Sequence, residues 1–234
     1  FGFTFLVTQY FQFVRGYDTL SAGVHTIPFA VGAGVTAPLA ARAALKFGTK
    51  RVVALGLFNM SLGLLIASRM DAHSSYWGHV IIGMVLMANG LSFVTSPSTD
   101  AVMGSLPREK AGVGSAVNDI SREVGGTLGV AVVGSVFVSL YTPRLVSNFA
   151  KIPGLVDALN KISPHLYPMA QESVGAAFGI AQKAPDQVKT QVLTEVSDSF
   201  VHGFQTACLV GVGMAFVGSL FALKFLPARA ASND

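Results

Sequence analysis

The stretch AGVGSAVNDISREVGGTLGVAVVGSVFVSLY, residues 111–141, is dominated by Gly, Ala, Val and Leu, and its only ionisable groups before Tyr141 are Asp119, Arg122 and Glu123. About 20 apolar residues cross the roughly 30 Å hydrocarbon layer of a bilayer, so this run is long enough to span. A charge inside such a span costs several kcal/mol on any scale, which makes each of the three a functional-site hypothesis. At 100° per residue Asn118, Asp119, Arg122, Glu123 and Gly126 share one arc, and Val113, Val117, Ile120, Val124, Leu128 and Ala131 share the opposite one. One face is therefore expected to meet lipid and the other protein or a watery cavity.

Working outward, apolar runs at about 1–15, 20–42, 51–69, 76–100, 111–141 and 199–226 predict six spans. Over the whole chain of 234 residues, 51% are hydrophobic and 12% charged, with a mean hydropathy of +0.56. Soluble domains carry about 25% charged residues, so a soluble enzyme and a disordered chain are both excluded. The spans are too long, and lack the period-2 alternation, for a β-barrel. The expected fold class is an all-α membrane protein. The net charge of +4 does not indicate a nucleic-acid partner, because the basic residues lie between apolar runs rather than on one soluble face. A single cysteine, Cys208, inside an apolar run gives no disulfide framework or thiolate site, and neither a metal site nor a cofactor is expected. His25, His79 and His202 fall near helix ends without metal-ligand spacing.

Basic residues set the orientation. Arg42, Lys46, Lys50, Arg51, Arg108, Lys110, Lys224 and Arg229 flank one side of the spans, against Arg15 and Arg69 in the short loops of the other. The first side, with the C-terminus, is expected in the cytoplasm. Tyr76 and Trp77 suit the outer interface. The chain opens on an apolar run without signal-peptide features, which reads as a start inside a helix. Residues 142–198, with five basic and five acidic residues and repeated prolines, form an external polar loop with room for short helices such as residues 174–183 and 187–196. The organisation is thus 1–141, five spans; 142–198, the external loop; and 199–234, the last span and a cytoplasmic tail.

Asp119 and Glu123 lie four apart on one side of their helix, about 12 and 18 Å from its start at 1.5 Å per residue, so Glu123 sits near mid-membrane. Low dielectric there favours the neutral acid and the nearby guanidinium favours the carboxylate, a competition suited to proton binding and release. Asp119 and Arg122, three apart, read equally as an ion pair that only pins packing. Gly125, Gly126 and Gly129 form a small-residue strip for close helix packing or for a sliding helix. Gln9, Gln12, Phe13, Asn89, Phe93 and Asn118 are candidates to line a substrate cavity, or to hydrogen-bond and pack between helices.

The string Asn118-Asp119-x-Ser121-Arg122-Glu123-x-Gly125-Gly126-x-x-Gly129-Val130-Ala131 resembles the penultimate helix of the 14-helix drug:proton antiporters of the major facilitator superfamily, the EmrB/QacA-like group. Tyr10-Phe-Gln12-x-Val-x-Gly16-Tyr17-x-x-Leu20-x-Ala22-Gly23 with Ile27-Pro28 is similar to that group's ninth helix and the turn after it. Pro107-x-x-x-Ala111-Gly112 resembles the turn before the penultimate helix, and Phe225-Leu226-Pro227 the usual ending. The loop ending Gly48-Thr-Lys50-Arg51 keeps the basic end of the superfamily's signature loop but lacks its Asp. The resemblance implies one half of a major-facilitator-type bundle: the C-terminal six-helix domain of a multidrug exporter, an antiporter in the bacterial cytoplasmic membrane that confers antibiotic resistance. It further implies proton coupling at Asp119, Glu123 and Arg122, a lipophilic or cationic small-molecule substrate, protons and membrane lipid as partners, and a missing N-terminal half. Export of lipids, siderophores or other amphiphilic metabolites on the same scaffold, or a non-transporting structural subunit, are the alternatives.

Overall fold

A computed structural model describes residues 1–227. Arg229 and the rest of the expected cytoplasmic tail lie outside the described residues, as does the side chain of Arg108. Among the described residues the chain is helical throughout: α1 (Gly2–Gln9), α2 (Thr19–Phe47), α3 (Thr49–Ala67), α4 (Ile81–Gly104), α5 (Ala111–Ala150), α6 (Leu155–Ile162), α7 (Leu166–Glu172), α8 (Val174–Lys183) and α9 (Asp186–Phe225). Wide π-helical turns over Tyr10–Val14 and Tyr76–Val80 extend α1 and lead into α4. Helices α2, α3, α4, α5 and α9 are long and apolar enough to cross a membrane. The first expected span is α1 with its wide turn, shorter than the other five.

The tightest helix pair is α3 with α4, and glycines decide it. A Cβ on Gly56 would lie 2.9 Å from the Gly90 carbonyl oxygen, and one on Gly63 would lie 3.0 Å from that of Gly83. In antiparallel helices, glycines seven apart on each partner keep one face and let the backbones touch. Dispersion and backbone contact then replace the hydrophobic drive that lipid cannot supply. Helix α9 lies on α3 and α5. Ser219 donates to the Ala54 carbonyl at 2.8 Å, and the Phe137 ring lies 3.0 Å from where a Cβ on Gly203 would stand.

One continuous core follows, with Leu6, Tyr10, Phe11, Phe137, Tyr141, Phe200 and Phe204 buried. Tyr10 stacks on Phe204 at 6.0 Å between ring centroids, and its hydroxyl donates to the Asp71 carbonyl at 2.8 Å. Arg15 donates to the carbonyls of Ala72 and Ser74, tying the α3–α4 loop to α1. The His25 ring lies against Tyr17 and Tyr76, at 4.4 and 4.7 Å.

Residues 142 and 198 do not mark helix ends. Helix α5 continues to Ala150 through Pro143, and α9 begins at Asp186, so the expected short helix at 187–196 is the first part of α9. Packing carries both helices onward. Leu145, Phe149, Val192 and Val196 are buried, and between them lies Asn148, also buried. The two N–H groups of the Asn148 amide are shared among the Glu195 carbonyl, Asp198 and Ser199, and its amide oxygen accepts from Lys151 at 2.7 Å. A buried amide with all its bonds made locks two helices in register. The expected helix at 174–183 forms as α8, capped by the Ser173 hydroxyl, which accepts from the Ala176 N–H. With α6 and α7 it makes a small cap on α5 and α1. Tyr141 donates to the Ala170 carbonyl, Thr142 to that of Gln171, and Phe13 stacks on Phe178 at 5.8 Å.

Candidate functional site

Along its first half α5 is exposed on most sides and touches the rest of the described structure at Gly114, Asn118 and Gly126. Gly114 is buried, Asn118 half-buried, and the arc of Val113, Val117, Ile120, Val124 and Leu128 is exposed. Asp119, Arg122 and Glu123 are exposed within the described structure as well. The Asp119–Arg122 ion pair that the spacing allowed does not form. Among the described residues the ion pairs are Arg144–Asp198 at 2.9 Å and Lys151–Glu195 at 3.9 Å. The reason is geometric: Arg122 extends into a cleft of about 360 Å³ between α1, α2, α3 and α4, lined by Thr4, Phe29, Met60, Met87, Leu91 and Thr95.

Glu123, the next residue, opens on a neighbouring cleft of about 400 Å³ with Gly126, Thr127, Val130 and Ala131. Phe1 borders both clefts, and its ring occupies the space a side chain at Gly126 would need, 2.9 Å from where a Cβ would stand. Gly126 therefore gives close approach. Gly125 and Gly129 do not, since a Cβ at either meets nothing within 4 Å. They border a third, apolar cavity of about 360 Å³ that reaches Cys208 and Gly211 and shares Met60 and Met87 with the Arg122 cleft. Within the described structure Gly126 is the member of the α5 strip that gives close approach, and the close backbone contacts lie between α3 and α4.

The cavity candidates divide. Asn118 accepts from the Thr99 hydroxyl at 3.3 Å and joins α5 to α4. Asn89 accepts from Thr36 at 2.6 Å and joins α4 to α2. Both are interhelical bonds of the kind that polar residues make within a membrane. Phe13, in the wide turn of Tyr10–Val14, stacks on Phe178 of α8 beneath the cap and lines neither the Arg122 nor the Glu123 cleft. Gln9 and Gln12 are half-buried at that end of α1, and Phe93 is half-buried with its Cβ 2.8 Å from where a Cβ on Gly56 would stand. Thr4, Phe29, Met60, Met87, Leu91 and Thr95 line the Arg122 cleft without having been singled out in the sequence. Apolar residues of many helices carry no individual signal. A separate cleft of about 430 Å³ at the cap end, bordered by Asp71, His73, Thr194 and Asp198, shares no residue with these. Among the described residues no cluster of three His, Cys, Asp or Glu is placed to hold a metal ion.

The fold is a half-bundle of helices long and apolar enough to span a membrane, one of which carries Asp119, Arg122 and Glu123. A model of the Major Facilitator Superfamily matches residues 1–159, and the chain belongs to that superfamily. It is a multi-pass membrane protein. It is similar to the multidrug efflux pump LfrA of Mycolicibacterium smegmatis, 29% identical over 225 residues that cover 94% of this chain and 42% of LfrA. To the multidrug resistance protein Stp of Mycobacterium tuberculosis it is 32% identical over 228 residues, 97% of this chain and 42% of Stp. The methyl viologen resistance protein SmvA of Salmonella typhimurium is 26% identical over 223 residues, 92% of this chain and 43% of SmvA. The chain spans about two fifths of the length of the curated relatives it matches.

Proposed function

We propose that this chain is the C-terminal six-helix half of a proton-coupled exporter of lipophilic or cationic small molecules in a bacterial cytoplasmic membrane, with its C-terminus in the cytoplasm. The observation that carries the reading is the placement of Arg122 and Glu123 on consecutive positions of α5, each opening on a cleft, in a chain whose relatives are named as multidrug efflux and resistance proteins. Residues 1–141 supply five spans, 142–198 the external segment with its short helices, and 199–234 the last span and tail. A larger N-terminal part, about three fifths of the length of the relatives, completes the transporter, and the two parts rock about a midplane cavity.

Glu123 is the proton carrier in this scheme. Protonated, it is neutral and releases a cationic substrate group; ionised, it attracts one. Competition of proton and substrate for one carboxylate gives antiport without covalent chemistry. Asp119, one turn nearer the cytoplasmic end, adds negative charge on the path, and Arg122 holds the opposite sign beside it.

The test is Glu123→Gln in the full-length transporter. Shape and hydrogen bonding are kept and titration is removed, so export driven by an imposed pH gradient should be lost while binding of neutral compounds stays measurable. Export that kept its full response to the gradient would place the coupling group elsewhere.

A further inference from the structure

We propose that the groove between the cytoplasmic ends of α3 and α9 binds an anionic phospholipid of the inner leaflet, its phosphate at Arg51 and one acyl chain between Phe58 and Phe216. The two helices meet there through small residues. Ala54 and Ser219 are buried at the contact, and the Ser219 hydroxyl donates to the Ala54 carbonyl at 2.8 Å. Small side chains at the contact leave the larger neighbours as walls: Leu55 and Phe58 of α3 and Phe216, Leu220 and Leu223 of α9 border a groove of about 390 Å³. Arg51 is the charged residue among those lining it.

Charge at one end and hydrocarbon along the rest select the occupant. Lys50 and Arg51 stand in the first turn of α3, and Lys224 in the last turn of α9, four residues after Leu220 and so on the same side of that helix. Neither Thr49–Ala67 nor residues 199–225 contain an Asp or Glu, so the two helices bring cations to this end and no anion. Clusters of basic residues between spans at the cytoplasmic face bind anionic headgroups. Seven residues separate Arg51 from Phe58, about 10 Å along the helix, so a phosphate at the membrane surface places the two phenyl rings beside the upper methylenes of an acyl chain. The groove shares no residue with the clefts that Phe1 borders. It also lies away from α5, whose ionisable groups suit contact with the rest of the transporter, whereas the outward surface of α3 and α9 here is the apolar kind that lipid covers. The leaflet follows from the orientation proposed above, and occupancy of the groove does not depend on what is exported.

Native mass spectrometry of the purified full-length transporter, titrated in detergent with phosphatidylglycerol or with phosphatidylcholine of the same acyl chains, tests this. The wild type should bind the first phosphatidylglycerol about fivefold or more tightly than phosphatidylcholine. Arg51→Gln should bring the two lipids to within about twofold of each other, and Arg51→Lys, which keeps the charge, should keep most of the preference. Leu220→Trp, which fills the groove, should weaken both lipids. A phosphatidylglycerol carrying a diazirine in one acyl chain should label peptides around Phe58 and Phe216 in the wild type and much less in Leu220→Trp, and excess inorganic phosphate should leave that labelling unchanged. Equal binding of the two lipids by the wild type, a preference untouched by Arg51→Gln, or labelling confined to other helices would overturn the proposal, the last showing the groove to be covered by the rest of the transporter. Loss of labelling in excess inorganic phosphate would overturn it in favour of a site for a free anion.

Discussion

Arg122 and Glu123 are neighbours in the chain, and the 100° between them sends their side chains to opposite sides of Phe1. The sequence made both visible, because an ionisable group in an apolar run stands out against its surroundings. It also made a pairing of Asp119 with Arg122 plausible on spacing alone, and there tertiary structure prevailed: the guanidinium turns into the cleft between α1 and α4. Asp119 has no ion-pair partner among the described residues, so Asp119→Asn should change thermal stability little, by about 0.5 kcal/mol or less. In the same variant, export of cations should fall more than export of neutral compounds, as paired efflux assays would measure. Loss of folding in Asp119→Asn would show that the carboxylate has a structural partner after all.

At the level of helices, the strongest determinant is the glycine seam of α3 and α4. A Cβ on Gly90 would come within 2.6 Å of the Gly56 carbonyl oxygen and against Met60, with no flexible side chain to yield on the backbone side. Gly90→Val should therefore destabilise the bundle by about 1–3 kcal/mol, read as a lower melting temperature in detergent. The seam was present in the sequence as glycines at 56, 63, 83 and 90, but only knowledge of which helices pair turns that spacing into a contact.

The cap is held differently. Asp198 lies before the expected last span. Partial burial raises its carboxyl, but hydrogen bonds from Arg144 and Asn148 and the charges of Arg144 and Lys151 outweigh this and hold it below the usual carboxylate range. A lowered carboxyl stabilises the fold above its unfolded value and loses that contribution as pH falls through its folded one. Docking of the α5 and α9 extensions should thus be unchanged between neutral pH and about pH 5, and loosen only below about pH 4, as hydrogen exchange at Glu195–Ser199 would report. Cysteines placed at Lys161 and Lys183 should react with an impermeant thiol reagent in intact cells; protection of both would reverse the topology.

For the whole molecule, half a bundle cannot alternate access about a site shared by two halves. The purified 234-residue chain should insert into proteoliposomes as helices and show no proton-driven transport; robust uptake by the monomeric chain would refute the half-transporter reading. Hydropathy and length by themselves determined the helical membrane class, the positions of the long spans and the helix that carries the charges, because a bilayer imposes one solution on every apolar run of that length. The motif in residues 118–131 carried the resemblance to the superfamily. Tertiary structure alone decided how far α5 and α9 extend, that Phe13 lies under the cap, that α3 and α4 touch through glycines, and that Arg122 faces Met60 and Met87. Each of these depends on which surfaces meet across the bundle, and a periodicity along one helix holds no record of its neighbour.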